Sequence, residues 1–275
     1  MKKRRISLYI WSVVLIVLGL LYCLPFYFML INSFKPFGEI LTSFLYLPRQ
    51  PTFENYIRAF NVLRFPTVFR NTVFITIITV IFSIVVSVMA GYKLERTAGK
   101  LARLIYYFFT FGIIIPFFVV MVPLIQQMSN MGLLNNQLTL ILFYTGAYSS
   151  FGVFVSYGFS KSVPREIEES AMIDGAGAYR IFIIIILPLM KPIIATMAVL
   201  FVLWTWNDFI ISFLFLTNRD LRTISPALFV FMGDMSVEWN FLLASIVIST
   251  LPILVFYAFA QKHIVKGLAS GAIKG

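Results

Sequence analysis

The sequence predicts an all-α, polytopic membrane fold with six transmembrane helices, read as a single domain over residues 1–275. Three observations carry that prediction. Apolar residues make up 60% of the chain and charged residues only 12%, with a mean hydropathy of +0.92, a composition no ordinary soluble domain has. The charges leave long gaps, from Ile6 to Phe34, Asn71 to Tyr92, Leu104 to Ser160 and Trp239 to Gln261, and each can cross a bilayer. The basic residues also gather on alternate sides of the apolar runs.

Taken in order, the first crossing is expected at about 8–31. It follows the basic Lys2-Lys-Arg-Arg5 start as a signal peptide would, but its apolar run continues through Phe28 with no small-residue cleavage signal, so it is expected to remain as a helix. The single Cys23 lies inside it and has no internal disulfide partner. An outer segment, about 32–70, then carries Pro36, Pro48, Pro51 and Pro66. Within it PTFENYIRAFN sets Phe53, Tyr56, Ile57 and Phe60 on one helical face, the pattern of an amphipathic surface helix or of one packed on its own neighbours.

The second crossing is expected at 71–92, followed by a short basic loop, KLERTAGKLAR. The uncharged run from Leu104 to Ser160 is too long for one crossing, and its polar middle, QQMSNMGLLNNQ, divides it into helices at 104–126 and 138–160. Pro116 and Pro123 fall inside the first of these, where a missing backbone donor either kinks the packing or marks a pathway. The remaining crossings are expected at 192–216, interrupted only by Asp208, and at 239–261. Between them an outer loop, about 217–238, carries the apolar run ISPALFVFM; it either dips towards a pathway or packs as a surface hairpin.

With the N-terminus inside, fifteen of the 22 Lys and Arg residues fall on the inner side: Lys2, Lys3, Arg4, Arg5, Lys93, Arg96, Lys100, Arg103, Lys161, Arg165, Arg180, Lys191, Lys262, Lys266 and Lys274. Positive charge marks the cytoplasmic side, so both termini are expected there. The net charge of +11 is then a matter of topology. Nucleic acid is excluded as a partner because the cations flank apolar runs instead of lining one polar face.

The longest polar interruption of the C-terminal half is the loop 161–191, KSVPREIEESAMIDGAGAYRIFIIIILPLMK. Pro164 followed by Glu166, Glu168 and Glu169 is a helix start, with negative charge at the positive dipole end. Gly175 and Gly177 end that helix near Asp174 in a sharp turn. A second helix is expected to end before Pro188 or Pro192. The product is an elbow of two short helices, with Ile167, Ser170, Ala171 and Asp174 on one face, small enough to admit another protein's surface.

Glu169-Ser-Ala171, then Asp174-Gly-Ala-Gly177 and Leu187-Pro188, resemble the EAA loop of ABC-importer membrane subunits, with Ser170 replacing the first Ala of the family pattern. Trp204-Thr-Trp-Asn-Asp-Phe209 is similar to the W-N-E-F stretch of the sugar-importing permeases, with Asp208 in place of Glu, and Gly267–Gly275 is similar to their terminal stretch. The resemblance runs from about Tyr92 to the last residue and points to the maltose-permease type. It implies a type I importer permease fold in a bacterial cell membrane. It also implies a second homologous permease, an ATP-binding cassette dimer that hydrolyses the ATP, an external solute-binding protein that meets the outer loops, and Glu169, Ser170, Ala171, Asp174, Gly175, Ala176 and Gly177 as the ATPase-coupling residues.

The inventory of chemistry agrees with a driven subunit. No phosphate-binding loop is present, so no cofactor is expected on this chain and ATP belongs to a partner. An intramembrane hydrolase lacks a histidine at membrane depth, since His263 follows the last crossing. An ion-coupled carrier has only Asp208 as an ionisable group within an apolar run. Trp204, Trp206, Asn207 and Asp208 are the candidate pathway residues, because a neutral sugar needs aromatic faces together with hydrogen-bond donors and acceptors. A sugar or oligosaccharide is the expected cargo, with a solute such as glycerol phosphate as the alternative.

Overall fold

The structure is a computed structural model that describes residues 2–233 and 237–272, with side chains from 10–233 and 237–261. Asp234, the side chain of His263 and the last part of the Gly267–Gly275 stretch lie outside the described residues. The described residues are helical throughout apart from connecting turns and one isolated bridge between Met232 and Val237. Four helices, Ile10–Ser33, Phe65–Arg96, Gln137–Ser160 and Trp239–Gln261, are each long and apolar enough to cross a membrane. Two bent pairs, Lys100–Ile114 with Phe117–Asn130 and Ala178–Leu189 with Lys191–Asn207, bring the number to six when each pair is one crossing. Contacts divide the chain into two compact units, residues 1–65 with 227–252 and residues 66–226 with 253–275.

The first unit holds α1 (Lys2–Ser33), α2 (Phe37–Ser43), α3 (Glu54–Val62) and the opening turns of the last helix. Its polar centre is Lys35, fully buried, whose Nζ donates to Asn32 Oδ1 at 2.9 Å and to the carbonyl of Ser43 at 2.8 Å. A cation at the carbonyl end of α2 suits the helix dipole. Burial lowers the Lys35 pKa, and Glu39 opposes the shift. On α3 the buried residues are Asn55 and Ala59, while Phe53, Ile57 and Phe60 are exposed. The predicted face is thus divided: Ile57 and Phe60 point outward, as in an amphipathic surface helix, while Tyr56 bonds Ser33 Oγ at 2.6 Å and its ring and that of Phe53 pack against Phe34. The inward face is held by Asn55, which donates to the carbonyls of Ser33 and Lys35, both at 2.8 Å, and accepts from Asn240 at 3.0 Å.

The second unit is built on α4 (Phe65–Arg96) and α7 (Gln137–Ser160). Small residues let the two backbones approach closely, as between membrane helices generally. A Cβ on Gly91 of α4 would stand 2.5 Å from Ser156 Cβ, and one on Gly152 of α7 would stand 2.0 Å from Ser87 Oγ and 2.6 Å from Ser87 Cβ. We expect Gly152→Leu to force the pair apart at a cost of about 1–3 kcal/mol or more. Its yield of monodisperse protein after detergent extraction should drop. Gly158→Leu on the same helix, with nothing within 4 Å, should leave the yield unchanged; equal losses would refute the close-approach account.

Next to α7 runs α5 (Lys100–Ile114), with Tyr106 stacked on Tyr157 at 4.0 Å. At Pro116 the chain bends by 100° into α6 (Phe117–Asn130). The residue before a proline is driven to extended backbone, and Ile115 has ψ 115. Pro123, by contrast, sits inside α6 without ending it. The 104–126 crossing is thus a bent pair that starts earlier and ends later than its sequence boundaries.

After α7 come α8 (Arg165–Ile173), α9 (Ala178–Leu189) and α10 (Lys191–Asn207), with a 71° bend between the last two. Pro188 does not end α9. Having no N–H, it frees a carbonyl one turn back, and the helix widens into a π turn over Phe182–Ile186 and runs on to Leu189. The expected 192–216 crossing breaks at Asp208, which is extended with ψ 129, and α11 (Ile210–Phe215) follows. Beyond it Thr223 and Ile224 are buried. Asn71 of α4 donates to the carbonyls of Asp220 and Arg222, and Thr72 Oγ1 accepts from the Ile224 N–H. This first part of the outer loop packs against its own helices. The short α12 (Ile224–Ala227) and a 3-10 turn then lead to α13 (Trp239–Ala272).

Candidate functional site

The elbow forms where expected. Pro164 precedes α8, Glu166 and Glu168 occupy its first turn, and Asp174 closes it. The closure is a Schellman motif: the Gly175 N–H donates to the Met172 carbonyl at 3.0 Å and the Ala176 N–H to the Ala171 carbonyl at 2.9 Å. Gly175 takes φ +81, the left-handed region that favours glycine, whereas Gly177 has φ −70.

Among the seven coupling residues, Glu169, Ser170, Asp174, Gly175 and Gly177 are exposed. Ala171 and Ala176, the hydrophobic pair of the motif, turn inward onto the core of Val163, Ile181, Ile186 and Met190. Of the predicted face, Ile167, Ser170 and Asp174 are exposed and Ala171 is partly buried. Ala171 packs partly against its own protein, and the outward surface of α8 includes Glu166, Ile167, Glu169, Ser170, Met172, Ile173 and Asp174. Ile173, 86% exposed, is a large apolar side chain facing away from its own fold. Ala171, Asp174, Ala176 and Arg180 also border a cleft of about 200 Å³ in the bend of the elbow.

Glu168 behaves differently from the carboxylates around it, being 5% exposed. Its Oε1 accepts from Arg96 Nε at 2.7 Å and its Oε2 from Tyr92 Oη at 2.6 Å. Arg96 Nη2 donates as well to the Val163 carbonyl at 2.9 Å, just ahead of α8, and Nη1 contacts Glu95. Arg165 reaches the same Glu95 at 3.4 Å but is more than half exposed, so that outer pair contributes little. The sequence names Glu168 only as part of the helix start and Arg96 only as an inner-side cation; neither they nor Tyr92 are among its candidate site residues. Their signal was Tyr92 and Arg96 at i, i+4 on the last turns of an apolar run, with three carboxylates in the following polar loop.

The four candidate pathway residues do not converge on one site. Trp204 is 39% exposed and packs edge-on against Tyr148 and Phe151. Asn207, three residues on, is exposed on the same face and donates to the carbonyl of Leu203 at 2.8 Å. Trp206 turns to the other side, edge-on to Phe69, and its carbonyl accepts from Ser225 at 3.1 Å. Asp208 is directed into the fold, where one oxygen accepts from Tyr144 Oη at 2.7 Å and from the Ser212 N–H at 2.8 Å. Tyr144, fully buried and stacked on Tyr148 at 5.5 Å, is the partner that sequence reasoning missed.

The chain is thus a set of apolar, membrane-length helices, two of the six candidate crossings being bent pairs, with a two-helix elbow between them. The comparisons make the family specific. Residues 83–270 match the family of binding-protein-dependent transport system inner membrane components, and the chain belongs to it. It is 36% identical, over all of both chains, to a probable starch degradation products transport system permease protein, AmyC, of Thermoanaerobacterium thermosulfurigenes. It is 31% identical to the melibiose/raffinose/stachyose import permease protein MelC of Bacillus subtilis, covering 99% of each chain. Its fold matches a chain of a bacterial ABC transporter involved in the import of the acidic polysaccharide alginate, with TM-score 0.84 and 23% identity over 95% of this chain and 98% of that one.

Proposed function

We propose that this chain forms half of the translocation pathway of an ATP-driven importer for a sugar or oligosaccharide, and that a separate ATPase drives it through the loop 161–191. The observation that carries the cargo class is full-length similarity to permeases named for starch products and for melibiose, raffinose and stachyose. What supports the coupling role is the outward surface of α8, where acidic Glu166, Glu169 and Asp174 surround the apolar Ile173. Such a surface suits a partner that offers cations around an apolar socket. A short helix whose end is fixed by a Schellman turn passes displacement on to the helices beside it. The second permease, the ATPase dimer and an external solute-binding protein complete the assembly, and ATP is bound and hydrolysed by the ATPase alone.

Deleting the gene should abolish uptake of radiolabelled malto-oligosaccharides or raffinose while leaving glucose uptake intact. Unchanged uptake of every oligosaccharide tried would remove the cargo assignment. Both termini lie in the cytoplasm on this reading. In a Cys23-free variant, single cysteines at Gln50 and Asn130 should react with an impermeant thiol reagent added to intact cells, and one at Thr97 only after lysis. Gln50, Asn130 and Thr97 are all exposed positions, so a reversed pattern would invert the topology.

A further inference from the structure

We propose that Glu168 and Arg96 form a joint that makes α4 move with α8 during transport, an inference that rests on the coupling role of the elbow. By chain connection α8 leads only to α7 and α9, and a turn at Lys161–Pro164 separates it from α7. The joint adds a third connection, to the end of a helix more than seventy residues earlier in the chain. Both oxygens of Glu168 are engaged, one by Arg96 and one by Tyr92. The same guanidinium also grips the Val163 carbonyl. The start of α8 is therefore held at two points by one planar, rigid group, which opposes both sliding and rotation of α8 against α4.

The choice of residues argues for a mechanical role over simple packing. A buried ion pair contributes little net stability relative to apolar side chains of similar volume, whereas its geometry is strongly directional. Glu168 is also turned away from the exposed surface that holds Glu169 and Asp174. Its role is thus to position α8, not to contact the ATPase. Movement received on the outer face of α8 would pass through Glu168 to Arg96 and along α4, whose small residues face α7 at Gly91 and Ser87.

The test uses the complete complex in proteoliposomes, with ATPase, second permease and binding protein, and reads ATPase recovery on the purified permeases and labelled malto-oligosaccharide transported per ATP hydrolysed. Three variants are compared: Glu168→Gln, the apolar pair Glu168→Leu with Arg96→Met, which preserves packing, and the mild Tyr92→Phe. Each should recover normal amounts of ATPase, while the transported-to-hydrolysed ratio falls about tenfold in the first two and less in the third. A normal ratio in assembled Glu168→Gln or apolar-pair complexes would overturn the joint. So would failure of all three to assemble, which would make the cluster a folding element only. Glu169→Lys in parallel separates the two readings: if it leaves ATPase recovery and the ratio normal, the coupling role of α8 itself falls, whatever the Glu168 variants do.

Discussion

Gly175→Val should reach the membrane in near-normal amounts and lose almost all ATP-driven uptake. Nothing lies within 4 Å of a Cβ built at this position, so the substitution meets no steric obstacle from the rest of the fold. Its cost is in the backbone. At φ +81 a residue with a Cβ is strained by about 1–2 kcal/mol, and a β-branched one by more. That is too little to unfold a chain with extended buried cores, but it is enough to unwind the Schellman turn, whose two hydrogen bonds fix where α8 stops and α9 starts. With the turn open, Ala171 and Ala176 lose their shared seat on the core and the angle of the elbow is no longer set. ATPase recovery or binding-protein-stimulated hydrolysis should therefore collapse. Gly177→Ala is the internal control, since φ −70 and ψ 158 suit any residue; it should behave as the unmodified protein. Normal uptake by Gly175→Val would reduce the elbow to a connector.

The contrast between these two glycines shows what could be read from the sequence. Both were assigned to the turn on the general permissiveness of glycine, and only the backbone angles reveal that one of them needs it. The crossings were legible because an apolar run of bilayer length is a property of composition. The bend at Pro116 and the break at Asp208 were legible as interruptions, but their consequence was not, because Pro123 and Pro188 carry the same local signal as Pro116 and are absorbed within helices. The buried role of Glu168 could not be separated from those of Glu166 and Glu169 by spacing, since all three fit the first turn of a helix. What distinguishes it is the arrival of Tyr92 and Arg96 from a distant segment. The division of Trp204, Trp206, Asn207 and Asp208 onto different sides was hidden for a related reason: the helix ends between Asn207 and Asp208, so periodicity does not extend across the pair.

That division leads to an expected outcome at Asp208. Asp208→Ala should cause a severe loss of folded, assembled protein, while Asp208→Asn should retain most of it. The carboxylate accepts from two buried donors, Tyr144 Oη and the Ser212 N–H, and it secures the chain where α10 breaks and α11 restarts. Removing it leaves both donors unsatisfied at about 1–3 kcal/mol each, and more where no water can replace the lost partner. An asparagine keeps an acceptor oxygen in place and loses only the charge assistance. Tyr144→Phe, which deletes one donor and leaves Ser212 bonded, should fall between the two. The measurements are the yield and thermal midpoint of the purified permease pair, set beside oligosaccharide uptake by the same variants. Asn207→Ala, whose side chain is exposed, should leave the midpoint unchanged, so any change of uptake in it reports on the pathway. If Asp208→Ala instead kept full stability and lost uptake alone, the carboxylate would act on the cargo directly and its bonds to Tyr144 and Ser212 would be secondary.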